Sequence, residues 1–89
     1  MGDSVSLQEI VFTSIARTLR VDTAEVKPDQ RVDSLGLDSM RLMAVIARVE
    51  TLCEVEFASE QLVHFLQAEL VSDLVSRIDH VVNPARENA

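Results

Sequence analysis

Residues Met40 to Leu52 read MRLMAVIARVETL, and this stretch decides the fold class. Its apolar side chains recur at steps of three and four residues, the spacing that places them on one face of an α-helix. The apolar face is broader than one stripe, and we expect this helix to be the most buried, with Met43 in the core and an exposed, partner-facing position as the alternative. The residues that make this face are Leu42, Met43, Val45, Ile46, Val49 and Cys53.

A first helix is predicted before this stretch, from Ser6 onward. Ser6 and Glu9 have the spacing of a capping box, in which each side chain binds a backbone N–H that the first helical turn leaves free. Apolar residues at helical steps follow as far as Leu19. We therefore expect the helix to bury one face along its length.

Two further helices are predicted after it. Ser59 is expected to cap a short helix that runs to Leu66, and helical spacing predicts a last helix over about residues 70–82. The Asn83-Pro84 pair ends that helix. The fold class is therefore all-α: a small four-helix bundle of three main helices and one short helix.

The segment between the first two helices, residues 21–38, lacks periodicity and is rich in turn-forming residues. An unstructured connection of this length is uncommon in a small domain and indicates function or disorder. Apolar residues at regular intervals argue against disorder, because a solvated linker does not need them. They are Val21, Val26, Val32, Leu35 and Leu37. We predict a loop that is pinned onto the core.

The composition of the 89 residues indicates one domain. Three aromatic residues, two glycines and two prolines suit a helical chain better than a hairpin-rich one. We expect the domain to cover residues 6–82. Residues 1–5 and 83–89 are expected to be flexible.

The charge and the cysteine count exclude several classes of function. A formal charge of −7 repels nucleic acid and anionic membranes, and no apolar run approaches the ~20 residues of a membrane span. Cys53 is the single cysteine, so neither an intramolecular disulfide nor a multi-cysteine metal site is expected. These features suit a cytoplasmic protein that binds no metal.

Two serines stand in similar contexts in VDSLGLDSM, residues Val32 to Met40. Ser34 precedes Gly36 by two residues, which favours a turn in which its hydroxyl binds the local backbone. Ser39 stands where the second helix begins, beside free backbone N–H groups and the positive end of the helix dipole, which together favour a phosphate. From helix-start chemistry alone, Ser39 or Asp38 is an ordinary N-cap.

The segment LGLDSM, residues Leu35 to Met40, resembles the attachment motif of the carrier-protein family, which comprises acyl, peptidyl and aryl carriers. VDTAEVKPDQRV at 21–32 is similar to the family's first loop, and LVSDLVSRI at 70–78 to its closing helix. The resemblance implies an acyl-carrier-type bundle with 4'-phosphopantetheine attached covalently to Ser39. It further implies a carrier and not an enzyme, since the thiol of the arm holds acyl groups as thioesters.

The resemblance also implies roles for the neighbours of Ser39. Asp38 either holds a cation or metal-bound phosphate for the transferase or serves only as a helix-start carboxylate. Met40, Arg41 and Leu37 are expected to contact partner enzymes. Arg41 and Arg48 give the second helix a positive charge, which resembles the peptidyl and aryl carriers of nonribosomal peptide synthesis. A polyketide or fatty-acid carrier is the alternative.

The expected partners are a phosphopantetheinyl transferase that uses coenzyme A, adenylation or acyltransferase enzymes, condensation enzymes or ketosynthases, and thioesterase-type enzymes. A monomer is expected. The residues do not distinguish a freestanding carrier from a domain of a synthase, and they do not identify the cargo.

Two other functions compete with the carrier. Ser39 could join Asp79 and either His64 or His80 in a hydrolytic triad, but a small helical domain has little room for an oxyanion hole and a substrate pocket. We expect His64 to be a partly buried helix residue and His80 to be on the surface. A small helical interaction module that works unmodified is the remote alternative.

Overall fold

The structure is a computed structural model that describes residues 6–83. It contains four α-helices, α1 (Leu7–Leu19), α2 (Ser39–Cys53), α3 (Ser59–Leu66) and α4 (Val71–Val82), and a short 3-10 helix at Thr23–Glu25. Residues 6–83 contain no β-strand, and their one isolated bridge joins Arg31 to Leu70. The prediction of an all-α, small four-helix bundle is confirmed.

Helix α1 begins as its sequence predicts. The N–H of Glu9 donates to Ser6 Oγ at 3.1 Å, and the N–H of Ser6 donates to Glu9 Oε1 at 3.4 Å, which completes the capping box. The helix ends at Arg20, which has a left-handed backbone with φ of 61°. Side chains of neighbouring residues therefore cap the N-terminus of α1, and a residue with a left-handed backbone ends the helix at its C-terminus.

Helix α2 buries a narrower face than the sequence suggested. Leu42, Val45, Ile46 and Val49 are buried, whereas the Met43 side chain is 39% exposed. The prediction that Met43 lies in the core is wrong. It is rotated by about 100° from Leu42 around the helix axis, which places it at the edge of the buried stripe.

The starts and ends of the last two helices differ slightly from the predictions. Ala58, and not Ser59, is the N-cap of α3, and its N–H donates to Gln61 Oε1 at 2.7 Å. Asn83 caps the C-terminus of α4 through its N–H, which donates to the carbonyl of Asp79 at 2.8 Å. The rest of the segments expected to be flexible, residues 1–5 and 84–89, lies outside the described residues.

The core lies where the four helices and the long loop meet. Phe65 of α3 is fully buried, and its ring meets the edge of the Phe57 ring with centroids 4.9 Å apart. Ile15, Ile46 and Leu74 belong to the same buried cluster as Phe65. Helix α3 is thus held by one large aromatic anchor despite its short length.

Arg77 of α4 ties that helix to the C-terminal end of α3. Its Nη1 donates to the carbonyl of His64 at 2.7 Å, and its Nε donates to Asp73 Oδ1 at 3.1 Å. The hydrogen bond from Arg77 lowers the pKa of the Asp73 carboxyl. His64 is exposed, contrary to the expectation of partial burial, and His80 is on the surface as expected.

The long loop is pinned to the core, as predicted. Val26, Val32 and Leu37 are buried. The N–H of Val32 donates to the carbonyl of Glu69 at 2.8 Å, and the N–H groups of Val71 and Ser72 donate to carbonyls of the loop at 3.0 and 2.9 Å. The loop is therefore fixed to the connection between α3 and α4 by backbone bonds as well as by burial.

We predict that Ile46→Ala lowers the free energy of unfolding by ~2–5 kcal/mol, because it empties a fully buried position on α2. Leu52→Ala on the same helix is the control. Leu52 is 58% exposed, so its truncation is expected to cost less than about 1 kcal/mol. Urea titrations of both variants measure the difference. Equal losses would show that the core is placed wrongly.

Candidate functional site

Ser39 is the first residue of α2, and its neighbour Asp38 is the cap. The Oδ1 atom of Asp38 accepts the N–H of Arg41 at 2.9 Å, so the cap position belongs to Asp38. Ser39 is exposed, and its hydroxyl makes no hydrogen bond to any of residues 6–83. Because the cap is already occupied, the Ser39 hydroxyl has no structural task within the described chain.

The backbone around Ser39 presents free donors. The N–H of Arg41 binds the Asp38 side chain, and the N–H of Leu42 donates to the Asp38 carbonyl at 2.8 Å. The N–H groups of Ser39 and Met40 have no acceptor among residues 6–83. Two unpaired amides at the positive end of a helix of this length suit a bound phosphate.

Arg41 folds back over the loop that leads into the site. Its Nη1 donates to the carbonyl of Gly36 at 3.3 Å and lies 3.8 Å from Asp38 Oδ2. Both partners of this ion pair are more than half exposed, so the pair adds little stability. Its consequence is local: a guanidinium next to Asp38 offsets the negative charge that would otherwise repel a phosphate on Ser39.

Met40 and Leu37, both expected to contact partners, have opposite environments. The Met40 side chain is 83% exposed, which leaves it available to a partner surface. Leu37 is 3% exposed and belongs to the core. A partner contact through the Leu37 side chain is therefore ruled out by its burial; Leu37 anchors the chain just before the site.

Gly36 makes the turn into the site possible. Its φ of 88° lies in the left-handed region, and a Cβ added there would meet no atom within 4 Å. Substitution is therefore opposed by backbone strain alone, which costs about 1–2 kcal/mol for an L-residue. The preceding Ser34 is exposed within this turn, and its hydroxyl lies 3.5 Å from Asp33 Oδ1 instead of binding the backbone as expected.

A groove of about 330 Å³ opens beside Ser39. Its apolar floor includes Val32, Leu42 and Leu66, and its rim includes acidic groups and the Arg31–Asp33 ion pair. The hydrogen bond from Arg31 lowers the pKa of Asp33. The residues that line this groove include no histidine, lysine or cysteine, and its titratable groups are Arg31 and the carboxyls of Asp33, Asp38 and Glu69.

The residues of the rejected triad do not assemble here. His64 and Asp79 are absent from the lining of the groove, as is His80, and His64 is instead in contact with Arg77. Within residues 6–83, no group of three or more potential ligands is placed to hold a metal ion. None of the helices in that range is long and apolar enough to cross a membrane.

The model of a family described as "phosphopantetheine attachment site" matches residues 9–78. The chain belongs to this family. The resemblance to carrier proteins is thereby confirmed, and the cofactor of this carrier is covalently attached 4'-phosphopantetheine. Comparisons with curated proteins and with solved structures gave no significant match.

The geometry of the carrier fits this group. A phosphodiester needs a free hydroxyl for attachment and donors for its unesterified oxygens, and the start of α2 supplies both. The helical spacing of apolar residues predicted the start of α2, but it did not indicate the groove beside Ser39. Glu69 reaches the groove from a distant part of the sequence, and no local pattern indicates that contact.

Proposed function

We propose that Ser39 is the residue that bears the phosphopantetheine arm. The observation that carries this proposal is the exposed Ser39 hydroxyl, uncommitted within residues 6–83, beside two unpaired backbone amides. Ser34 lies in a turn and not at a helix start, and its hydroxyl contacts Asp33 Oδ1 at 3.5 Å. The family match covers both serines and does not choose between them.

The attachment is a phosphoryl transfer in which this chain contributes the acceptor. The Ser39 oxygen bonds to the phosphorus that carries pantetheine in coenzyme A, the phosphoanhydride bond breaks, and adenosine bisphosphate leaves. In this proposal the serine proton passes to a base of the transferase. Once attached, the arm supplies a thiol that holds acyl groups as thioesters.

We further propose that the cargo is aminoacyl or aryl, as in nonribosomal peptide synthesis. The support is the charge of α2, whose accessible surface near the site carries Met40 and Arg41 and further along carries Arg48. The acid within this helix, Glu50, accepts the N–H of Phe57 at 2.8 Å and is half-buried. Partners with acidic docking surfaces are favoured by this arrangement. A polyketide or fatty-acid carrier is the second candidate, because Asp38 precedes the serine.

In this proposal the chain itself is not an enzyme. Its partners are a phosphopantetheinyl transferase, an adenylating enzyme, a condensation enzyme and a thioesterase-type enzyme, and it works in the cytoplasm, where the lone Cys53 stays reduced. Asp38 acts as the helix cap and keeps a carboxylate near the transferase's metal-bound substrate. Met40 and Arg41 form the contact surface next to the arm.

The attachment is tested with coenzyme A and a broad-specificity phosphopantetheinyl transferase. We expect the intact mass to rise by one phosphopantetheinyl group in the wild type and in Ser34→Ala, and to stay unchanged in Ser39→Ala. Circular dichroism verifies that both variants fold. Modification of Ser39→Ala, or failure of Ser34→Ala alone, would overturn the assignment.

The type of cargo is tested by loading the modified protein with adenylating enzymes for amino acids and aryl acids and, in parallel, with a malonyl-transferring enzyme. We expect loading by an adenylating enzyme, with Arg41→Glu lowering kcat/KM about fivefold because it reverses a charge at the contact surface. Lys27→Glu, an equal charge change in the first loop, is the control. Loading by the malonyl-transferring enzyme alone would favour the second candidate.

A further inference from the structure

A second concave surface lies between α1 and α2, away from Ser39. It consists of two grooves of about 490 and 410 Å³, which share Thr13 and Leu52 as lining residues and therefore adjoin each other. We call it the α1–α2 groove. Arg48 and Leu52 follow Ser39 along α2 at about 14 and 20 Å, so this groove is remote from the attachment site.

One end of the α1–α2 groove is basic. Arg17 and Arg48 both line it, and neither guanidinium forms an ion pair with any of residues 6–83. By contrast, Arg31, Arg41 and Arg77 each pair with an aspartate. In a chain of formal charge −7, two unpaired arginines in one groove are a localised positive site.

The remaining polar groups on this wall are largely satisfied. The hydroxyl of Thr51 donates to the carbonyl of Ala47 at 3.2 Å, and the buried hydroxyl of Ser14 donates to the carbonyl of Ile10 at 2.8 Å. The hydroxyl of Thr13 is a further polar group on this wall, and the charged donors at this end are the two guanidinium groups. An occupant of this groove must supply hydrogen-bond acceptors to the two guanidinium groups, and carboxylates match guanidinium groups in both geometry and charge.

The centre of the α1–α2 groove is apolar. Leu52, which is 58% exposed, and Ile10 line it. From Glu9 to Arg17 the groove follows about 12 Å of α1, which is the length of about two helical turns. A short amphipathic segment matches this length, with apolar side chains over Leu52 and acids toward the two arginines.

We propose that the α1–α2 groove docks an acidic, amphipathic segment of a partner protein. This goes beyond the role proposed for Ser39, because it concerns a surface that the arm does not use. A membrane or a nucleic acid is disfavoured by the charge of −7, and a second copy of the chain is disfavoured because two such copies repel each other. A partner held here would keep its active site close to the arm and raise the effective concentration of the thiol.

The test uses two synthetic helical peptides with the same leucine face, one flanked by glutamates and the other by lysines. Each is titrated into the ¹⁵N-labelled protein and followed by NMR. We expect the acidic peptide to shift the amides of Thr13, Arg17, Arg48 and Leu52, and the basic peptide to leave them unchanged. Arg48→Glu should weaken binding of the acidic peptide about fivefold. Lys27→Glu, which changes the charge equally outside the groove, should not.

Three results would overturn this proposal. The first is the absence of shifts at about millimolar peptide, the range of a weak single-segment contact. The second is equal binding of the acidic and the basic peptide to the wild type, or equal binding of the acidic peptide to Arg48→Glu and Lys27→Glu. The third is sedimentation evidence that wild type self-associates through Leu52, which would make a second copy the occupant. Modification of Ser39 in the wild type by the transferase, measured on the same sample, separates these outcomes from a failure of the carrier role.

Discussion

The site depends on the backbone bonds that join the long loop to the connection between α3 and α4. The N–H of Val32 donates to Glu69 at 2.8 Å, and the N–H of Val71 donates back to Gln30 at 3.0 Å. These bonds hold in place a segment that has little secondary structure of its own. With Val32 and Leu37 buried on the same side, the chain enters α2 along one fixed path.

The path of the chain into α2 determines which polar groups at the helix start form hydrogen bonds and which remain unpaired within residues 6–83. Asp38 supplies the cap of α2, so the hydroxyl of Ser39 and two backbone amides remain available at the helix start. Arg41 balances the Asp38 carboxylate from the next turn. In the proposed reaction the domain supplies the acceptor hydroxyl and its electrostatic environment, while the base and the chemistry of the cargo belong to the partners and the cofactor.

The sequence predicted the local features of this structure well and the tertiary ones less well. The capping box of Ser6 and the start of α2 follow from neighbouring residues, so spacing alone found them. Met43 was misplaced because apolar character does not say which side of a helix faces the core, and for the same reason Leu37 was predicted both to pin the loop and to contact partners.

The contacts that shape the surface were outside the reach of sequence patterns. Glu69 joins the groove of Ser39 through tertiary packing, and the α1–α2 groove exists only because two distant helices leave a gap between them. Charge did carry information. Basic residues are few in this chain, so Arg41 and Arg48 could be singled out from the sequence. Only the structure shows that Arg48 and Arg17 line the same groove.

We propose separate roles for the two ends of α2, with the arm at its start and a docking groove toward its end. The central claim is that Ser39, and not the nearby Ser34, bears the arm. Trypsin cleaves after Arg31 and Arg41, and the resulting peptide contains both Ser34 and Ser39. Tandem mass spectrometry of this peptide from the modified protein should locate the phosphopantetheinyl group on Ser39. Fragment ions that place it on Ser34 would contradict the account.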